Sequence, residues 1–264
     1  MLTTELRAAR PGFDIRVVTC RDDHAGWSPP EVRSDFGVVL ARRGRFGWRS
    51  RGQRVDVDPT VGYVSVPGSA EQFAHPAGGD VCTAVSFGPE LWRSGAPARP
   101  AIYVDARLDL AHRRLLRAVR GQDVDFGVAE EMLRLLTVAS RSPVLPVARD
   151  RVLVADAREA ILNFDSVAEG LLPLAASLGV SPYRLSRAFT RSLGVSLTRY
   201  RNRVRVGRAL DRLEAGERNL AVLAADLGFA DQAHLTRTVR EHVGETPRAL
   251  LQESSRPPTA GGRS

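Results

Sequence analysis

The hydrophobic pattern changes period partway along the chain. Between residues 13 and 92, apolar residues fall in short Val-rich runs: DIRVV (14–18), FGVVLA (36–41), RVDVD (54–58), YVSV (63–66) and VCTAVSF (81–87). Clusters of Gly, Pro and Asp such as RRGR, DPTVG, VPGS and HPAGGD separate them. Many short strands divided by turns predict a barrel or sandwich.

From residue 108 the spacing is helical. Leu108, Leu115, Leu116 and Val119 share one face of a first segment, and Ala129, Met132, Leu133 and Leu136 share one face of a second. This i, i+3, i+4, i+7 spacing predicts an antiparallel helical pair over 108–139, joined at Gly121. RSPVLP (141–146) carries two prolines and breaks the helical run, so 141–147 is the expected linker. Beyond it everything is helical until a Pro, Gly and Ser-rich end, expected as a disordered tail over 253–264.

Within the helical half the chain repeats itself. Leu174, Ala175, Ala176, Leu178 and Gly179 match Leu223, Ala224, Ala225, Leu227 and Gly228. One residue is then inserted in the second copy. After it, Leu185, Ser186, Arg187, Leu193, Gly194 and Ser196 match Leu235, Thr236, Arg237, Val243, Gly244 and Thr246. In each copy a short helix ends at a Gly suited to a left-handed cap, followed by Val180 or Phe229 as an apolar plug. Ser181 and Asp231 are natural N-caps for the next helix. Leu185 with Phe189, and Leu235 with Val239, give that helix a core face.

Two helices joined by a tight Gly turn form a helix–turn–helix, whose second helix enters the DNA major groove. The faces left over suit that task. The first copy leaves Tyr183, Arg184, Ser186, Arg187 and Arg191; the second leaves Gln232, Ala233, His234, Thr236, Arg237 and Arg240. Arg is bidentate to guanine and Gln to adenine, and small apolar groups meet the thymine methyl. Between the copies lies one long helix, 196–216, with Leu197, Val204, Ala209, Leu210 and Leu213 as its apolar face. Arg199, Arg201, Arg203, Arg205 and Arg208 crowd its first half as candidate phosphate contacts, joined in that role by Arg184, Arg191 and Arg240.

Charge adds little to this picture. The formal charge is +8, and all 38 basic residues are arginines. A chain without lysine points first to compositional bias in its coding sequence, so the pI alone does not imply DNA. The segment MLTTELRAARPGFD has no apolar run, and no stretch has the length of a membrane span. The expectation is a soluble, cytoplasmic protein that does not enter membranes. Two cysteines make no disulfide framework.

Residues 170–250, through LAASLGVSPYRLSRAF, GVSLTRYRNRVRVGRAL, LAADLGFADQAHLTRTV and GETPRAL, resemble the DNA-binding domain of the AraC/XylS family of transcriptional regulators. The resemblance implies a seven-helix domain beginning at about 148–164. It places base-reading positions on Tyr183, Ser186 and Arg187 and on Gln232, Ala233, His234, Thr236 and Arg237. Leu235 and Val239 stand where the family more often has Phe, and RAL after Gly-x-Thr-Pro departs from its usual aromatic-Arg pair. The β-rich half is similar in layout to cupin-like sensor domains, which bind a small effector or mediate dimerisation.

The resulting fold class is α+β with two domains. A cupin-like β-barrel or sandwich with its helical pair fills 1–140, and an all-α double helix–turn–helix domain fills 148–252. The implied partners are a double-stranded DNA operator, RNA polymerase, a second copy of the chain and a small-molecule effector.

One constellation lies outside that assignment. Cys20-x3-His24 and His75-x6-Cys82 supply two thiols and two imidazoles, a set that zinc accepts and that would make the protein metal- or thiol-responsive. Two buried thiols, a solvated His and a turn His account for the same residues. A cupin-type enzyme needs a richer His set. Only His24 and His75 fall in the β region, without any His-x-His, so the expectation is a non-enzyme. Trp27, Trp48 and Phe73 are candidates either for an effector pocket or for the core.

Overall fold

The structure, a computed structural model, describes residues 2–21, 24–92, 100–121, 123–143, 145 and 150–254. The chain forms two compact units, one reaching residue 143 and the other running from Leu145 onward.

Among the described residues, the first unit contains ten strands: β1 (Leu2–Arg10), β2 (Phe13–Cys20), β3 (Glu31–Val32), β4 (Phe36–Arg43), β5 (Phe46–Ser50), β6 (Gln53–Val57), β7 (Val61–Ser65), β8 (Ala70–Ala74), β9 (Asp80–Phe87) and β10 (Ala101–Tyr103). They form two antiparallel sheets, ordered β1-β2-β9-β4-β7-β10 and β3-β8-β5-β6. Helices α1 (Ala106–Arg120) and α2 (Ala129–Ser140) pack against the larger sheet. Alternation along the strands explains this core. Val38 and Leu40 of β4, Val85 and Phe87 of β9 and Ile15 of β2 join Leu108, Leu115, Met132 and Leu135 in one buried cluster. On the other side, Tyr63 of β7 stacks on Trp48 of β5 with ring centroids 4.7 Å apart, tying the two sheets together.

Three details depart from the sequence reading. β1 was not expected, because LTTELRAAR is exposed except for Ala8 and shows no hydrophobic alternation. The buried face of α2 is Met132, Leu135, Leu136 and Ala139, while Leu133 is 46% exposed. Trp48 is a core residue at 1% exposure, which removes it from the candidate pocket lining.

The second unit contains α3 (Arg151–Leu162), α4 (Leu171–Ser177), α5 (Pro182–Leu193), α6 (Leu197–Glu214), α7 (Leu220–Asp226), α8 (Gln232–Val243) and α9 (Pro247–Ser254). Because α9 reaches Ser254, the expected tail begins too early; its residues 255–264 lie outside the described residues. The same holds for positions 144, 146 and 147 of the expected linker. Among the described residues, no helix is long and apolar enough to cross a membrane.

Candidate nucleic-acid interface

The repeat seen in the sequence is built twice in space. Gly179 after α4 and Gly228 after α7 both take left-handed backbone, with φ of 65° and 70°. Next, Ser181 Oγ accepts the Arg184 N–H at 3.2 Å, and Asp231 Oδ1 accepts the His234 N–H at 2.6 Å. These contacts start α5 and α8 by satisfying a backbone donor that the first helical turn leaves open. Each helix ends at a left-handed glycine, Gly194 or Gly244, whose N–H donates at 2.9 Å to the carbonyl of Thr190 or Arg240. Leu185, Phe189, Leu235 and Val239 are fully buried, so the opposite faces of α5 and α8 are held toward solvent.

On α5, Tyr183, Arg184, Arg187 and Arg191 are exposed and Ser186 is half-buried. The Arg187 guanidinium donates to Tyr183 Oη at 2.6 Å and lies over the Tyr183 ring, 5.3 Å from its centre. Arg184 and Arg191 both approach Asp150, at 3.6 and 3.3 Å. These arginine side chains are 62% exposed, so screening leaves such pairs weak and free to exchange for another anion.

On α8, Gln232, Ala233, Arg237 and Arg240 are exposed; His234 and Thr236 are half-buried. The Thr236 hydroxyl donates to the Gln232 carbonyl at 2.9 Å. His234 Nδ1 accepts the Ala230 N–H at 3.3 Å, and its ring meets Phe229 edge-on at 5.4 Å. A backbone N–H can only donate, so the neutral ring carries its proton on Nε2. His234 therefore offers a donor beyond its own helix.

The linking helix α6 packs against both α5 and α8. Its 18 residues span about 27 Å at the usual helical rise. Arg199 and Arg208 are exposed on it, and Arg201 is half-buried. Arg203, in contrast, is 3% exposed. Arg205 does something the sequence did not disclose. It covers the second turn, 5.6 Å from the Phe229 ring centre, and a Cβ on Gly228 would come within 2.8 Å of it. Burial, then neighbouring Arg201, lowers its pKa from the usual guanidinium value.

In the β-rich unit the structure brings together three of the four proposed metal ligands. Donor atoms of Cys20, His24 and His75 lie within 4.8 Å of one another; Cys82 is not part of that group. Cys82 stands on β9 opposite Val18 and Ala41, with burial pushing its thiol up to about 12. Neither cysteine is in a disulfide. Of the aromatic candidates, Trp27 lies beneath Arg49 and Arg54, at 4.4 and 5.0 Å, and Phe73 packs on Phe46.

A family model described as a helix-turn-helix domain matches residues 174–253. The chain is 32% identical over 120 residues to the HTH-type transcriptional regulator RipA of Corynebacterium glutamicum, a match covering 46% of this chain. That match spans 35% of the regulator's own length, about a third. Among solved structures, ToxT from Vibrio cholerae O395 is similar over 93% of this chain and 99% of its own, at 10% identity and a TM-score of 0.38. The C-terminal domain of AraT, a response regulator from Geobacillus stearothermophilus, is similar over 42% of this chain and 91% of its own. Its identity is 24% and its TM-score 0.37.

Proposed function

We propose that the protein is a sequence-specific, DNA-binding transcriptional regulator, and that residues 174–253, which a helix-turn-helix family model matches, are a DNA-binding domain of the AraC/XylS type. In this reading α5 and α8 enter successive major grooves on one face of the duplex, about 34 Å apart. The observation that carries it is the duplicated, capped helix–turn–helix with polar side chains on both solvent faces.

The roles divide by chemistry. Tyr183, Ser186 and Arg187 of α5, and Gln232, Ala233, His234, Thr236 and Arg237 of α8, face base edges. Arg184, Arg191, Arg199, Arg201 and Arg240 meet phosphates and supply affinity that falls with salt. Where α5 begins Pro182, Tyr183, Arg184, α8 begins Gln232, Ala233, His234, so the two helices read different bases and the operator is asymmetric. RNA polymerase, a second copy of the chain and a small effector held by the β-rich unit complete the set of partners.

The test is selection of binding sites from a random duplex library by the full chain, followed by footprinting. The expected result is one asymmetric sequence protected in two blocks about 10 base pairs apart. A bound pool indistinguishable from the input library would overturn the proposal.

A further inference from the structure

We propose that Cys20, His24 and His75 form a zinc-class metal site in the β-rich unit, with a fourth position open to water. It is independent of the DNA-binding reading and stands on three observations.

The first is convergence. Cys20 ends β2, His75 follows β8, and an isolated bridge pairs His24 with His75, where the His75 N–H donates to the His24 carbonyl at 2.8 Å. Three segments thereby deliver one thiol and two imidazoles, with donor atoms within 4.8 Å and ring centres 5.0 Å apart. Around a tetrahedral zinc, S and N ligands sit roughly 3.3–3.6 Å from one another, so modest side-chain rotation closes the set.

The second is the orientation of both rings. His75 Nδ1 lies 2.6 Å from Asp80 Oδ2, and His24 Nδ1 lies 3.0 Å from the Gly26 carbonyl. A carboxylate and a carbonyl only accept, so Nδ1 is the donor in each ring. Both Nε2 lone pairs are then left for a metal. A ligating His is usually fixed in this way, by a carboxylate or carbonyl on the nitrogen facing away from the ion.

The third is the rigidity of the support. Asp80 is 1% exposed and pairs across the sheet with Cys20. The turn between β8 and β9 takes left-handed backbone at Gly78 and Gly79, returning the chain so that Asp80 reaches His75. Asp80 is so tightly seated that a Cβ on Gly44 would lie 2.7 Å from its Cα. A mixed thiolate and imidazole set suits zinc and its neighbours, and not Ca or Mg, which take oxygen ligands. On binding, the Cys20 thiol gives its proton to solvent.

Full-length protein stripped by a chelator is titrated with Zn2+ against a chromophoric competitor, and separately with Co2+ as a spectroscopic probe. One equivalent of zinc per chain is expected, and the cobalt form should show tetrahedral visible bands with a thiolate charge-transfer band. His24 is exposed, so His24→Gln should fold normally yet weaken zinc binding by at least tenfold. Asp80→Asn, acting through His75, should weaken it by about 10–100-fold. Cys20→Ser should abolish the charge-transfer band, whereas Cys82→Ala should keep both the band and the stoichiometry. Failure of the wild-type chain to bind a stoichiometric ion overturns the proposal. So does undiminished zinc affinity in His24→Gln, or a charge-transfer band lost with Cys82 in place of Cys20.

Discussion

Arg187 donates to the hydroxyl of Tyr183 one helical turn earlier, at 2.6 Å, and its guanidinium lies over the same ring. The pair preorganises a long side chain on an otherwise solvent-facing helix surface, lowering the entropy lost when that arginine engages a base. Arg187→Ala should cost about 1–3 kcal/mol on the selected operator and much less on random duplex. Tyr183→Phe keeps the ring but removes the acceptor oxygen, so its loss should be smaller, about 0.5–1.5 kcal/mol. Competition binding with both DNAs checks this. Equal losses on operator and random DNA would reassign Arg187 to the phosphate backbone.

Arg201 and Arg203 lie on the same helix, and their different burial separates their expected effects. Arg201→Gln should weaken binding on every sequence and reduce the slope of log affinity against log salt by about one unit. Arg203→Ala removes a side chain that is 3% exposed and should lower stability by roughly 2–3 kcal/mol, with the salt slope unchanged for whatever protein remains folded. Salt titrations of binding together with helix melting curves separate these outcomes. A flattened salt slope in a fully stable Arg203→Ala would restore that residue to the phosphate set.

This contrast marks how far the sequence could be followed. The repeat, the caps at Ser181 and Asp231 and the core faces Leu185/Phe189 and Leu235/Val239 were legible, because local chemistry decides them. Which arginines of α6 face inward was not, since five basic residues at close spacing give no hydrophobic signal. Arg203 is buried and Arg205 seals the turn at Gly228. Strand β1 escaped for a related reason: an edge strand exposed on both faces carries no alternation. Among the Cys and His candidates, local spacing named Cys20, His24 and His75, but only the strand register and the bridge to His75 separate them from Cys82.

The duplicated caps should contribute separately. Ser181→Ala and Asp231→Ala each leave an N–H of the first turn without its side-chain acceptor, at about 1 kcal/mol apiece. The sites belong to different helix–turn–helix copies, so the double variant should lose about the sum. For a unit of this size each kcal/mol corresponds to roughly 4–8 °C in melting temperature. Thermal unfolding followed by helical circular dichroism checks it. No change in Asp231→Ala would mean that water replaces the carboxylate at α8 without loss.

His112 gives the β-rich unit a dependence on pH whose sign follows from its burial. The ring is 2% exposed on α1, and its Nε2 has no hydrogen-bond partner among the described residues. Burial first, and then the Arg42 and Arg113 charges, lower its pKa from 6.5 to about 3 against the opposing pull of Asp109. Between those values the unfolded chain binds a proton that the folded unit refuses. Stability from this group is therefore fully present above pH 6.5 and falls as pH drops toward 3, by up to about 1.4 kcal/mol per pH unit. His112→Leu cannot be protonated there, so its stability should decline less steeply with acid than that of the wild type. All three tryptophans, Trp27, Trp48 and Trp92, belong to the first unit, so denaturant titrations followed by tryptophan fluorescence report on this unit alone. Parallel acid limbs for wild type and His112→Leu at pH 7, 5 and 4 would show that other groups set the acid sensitivity.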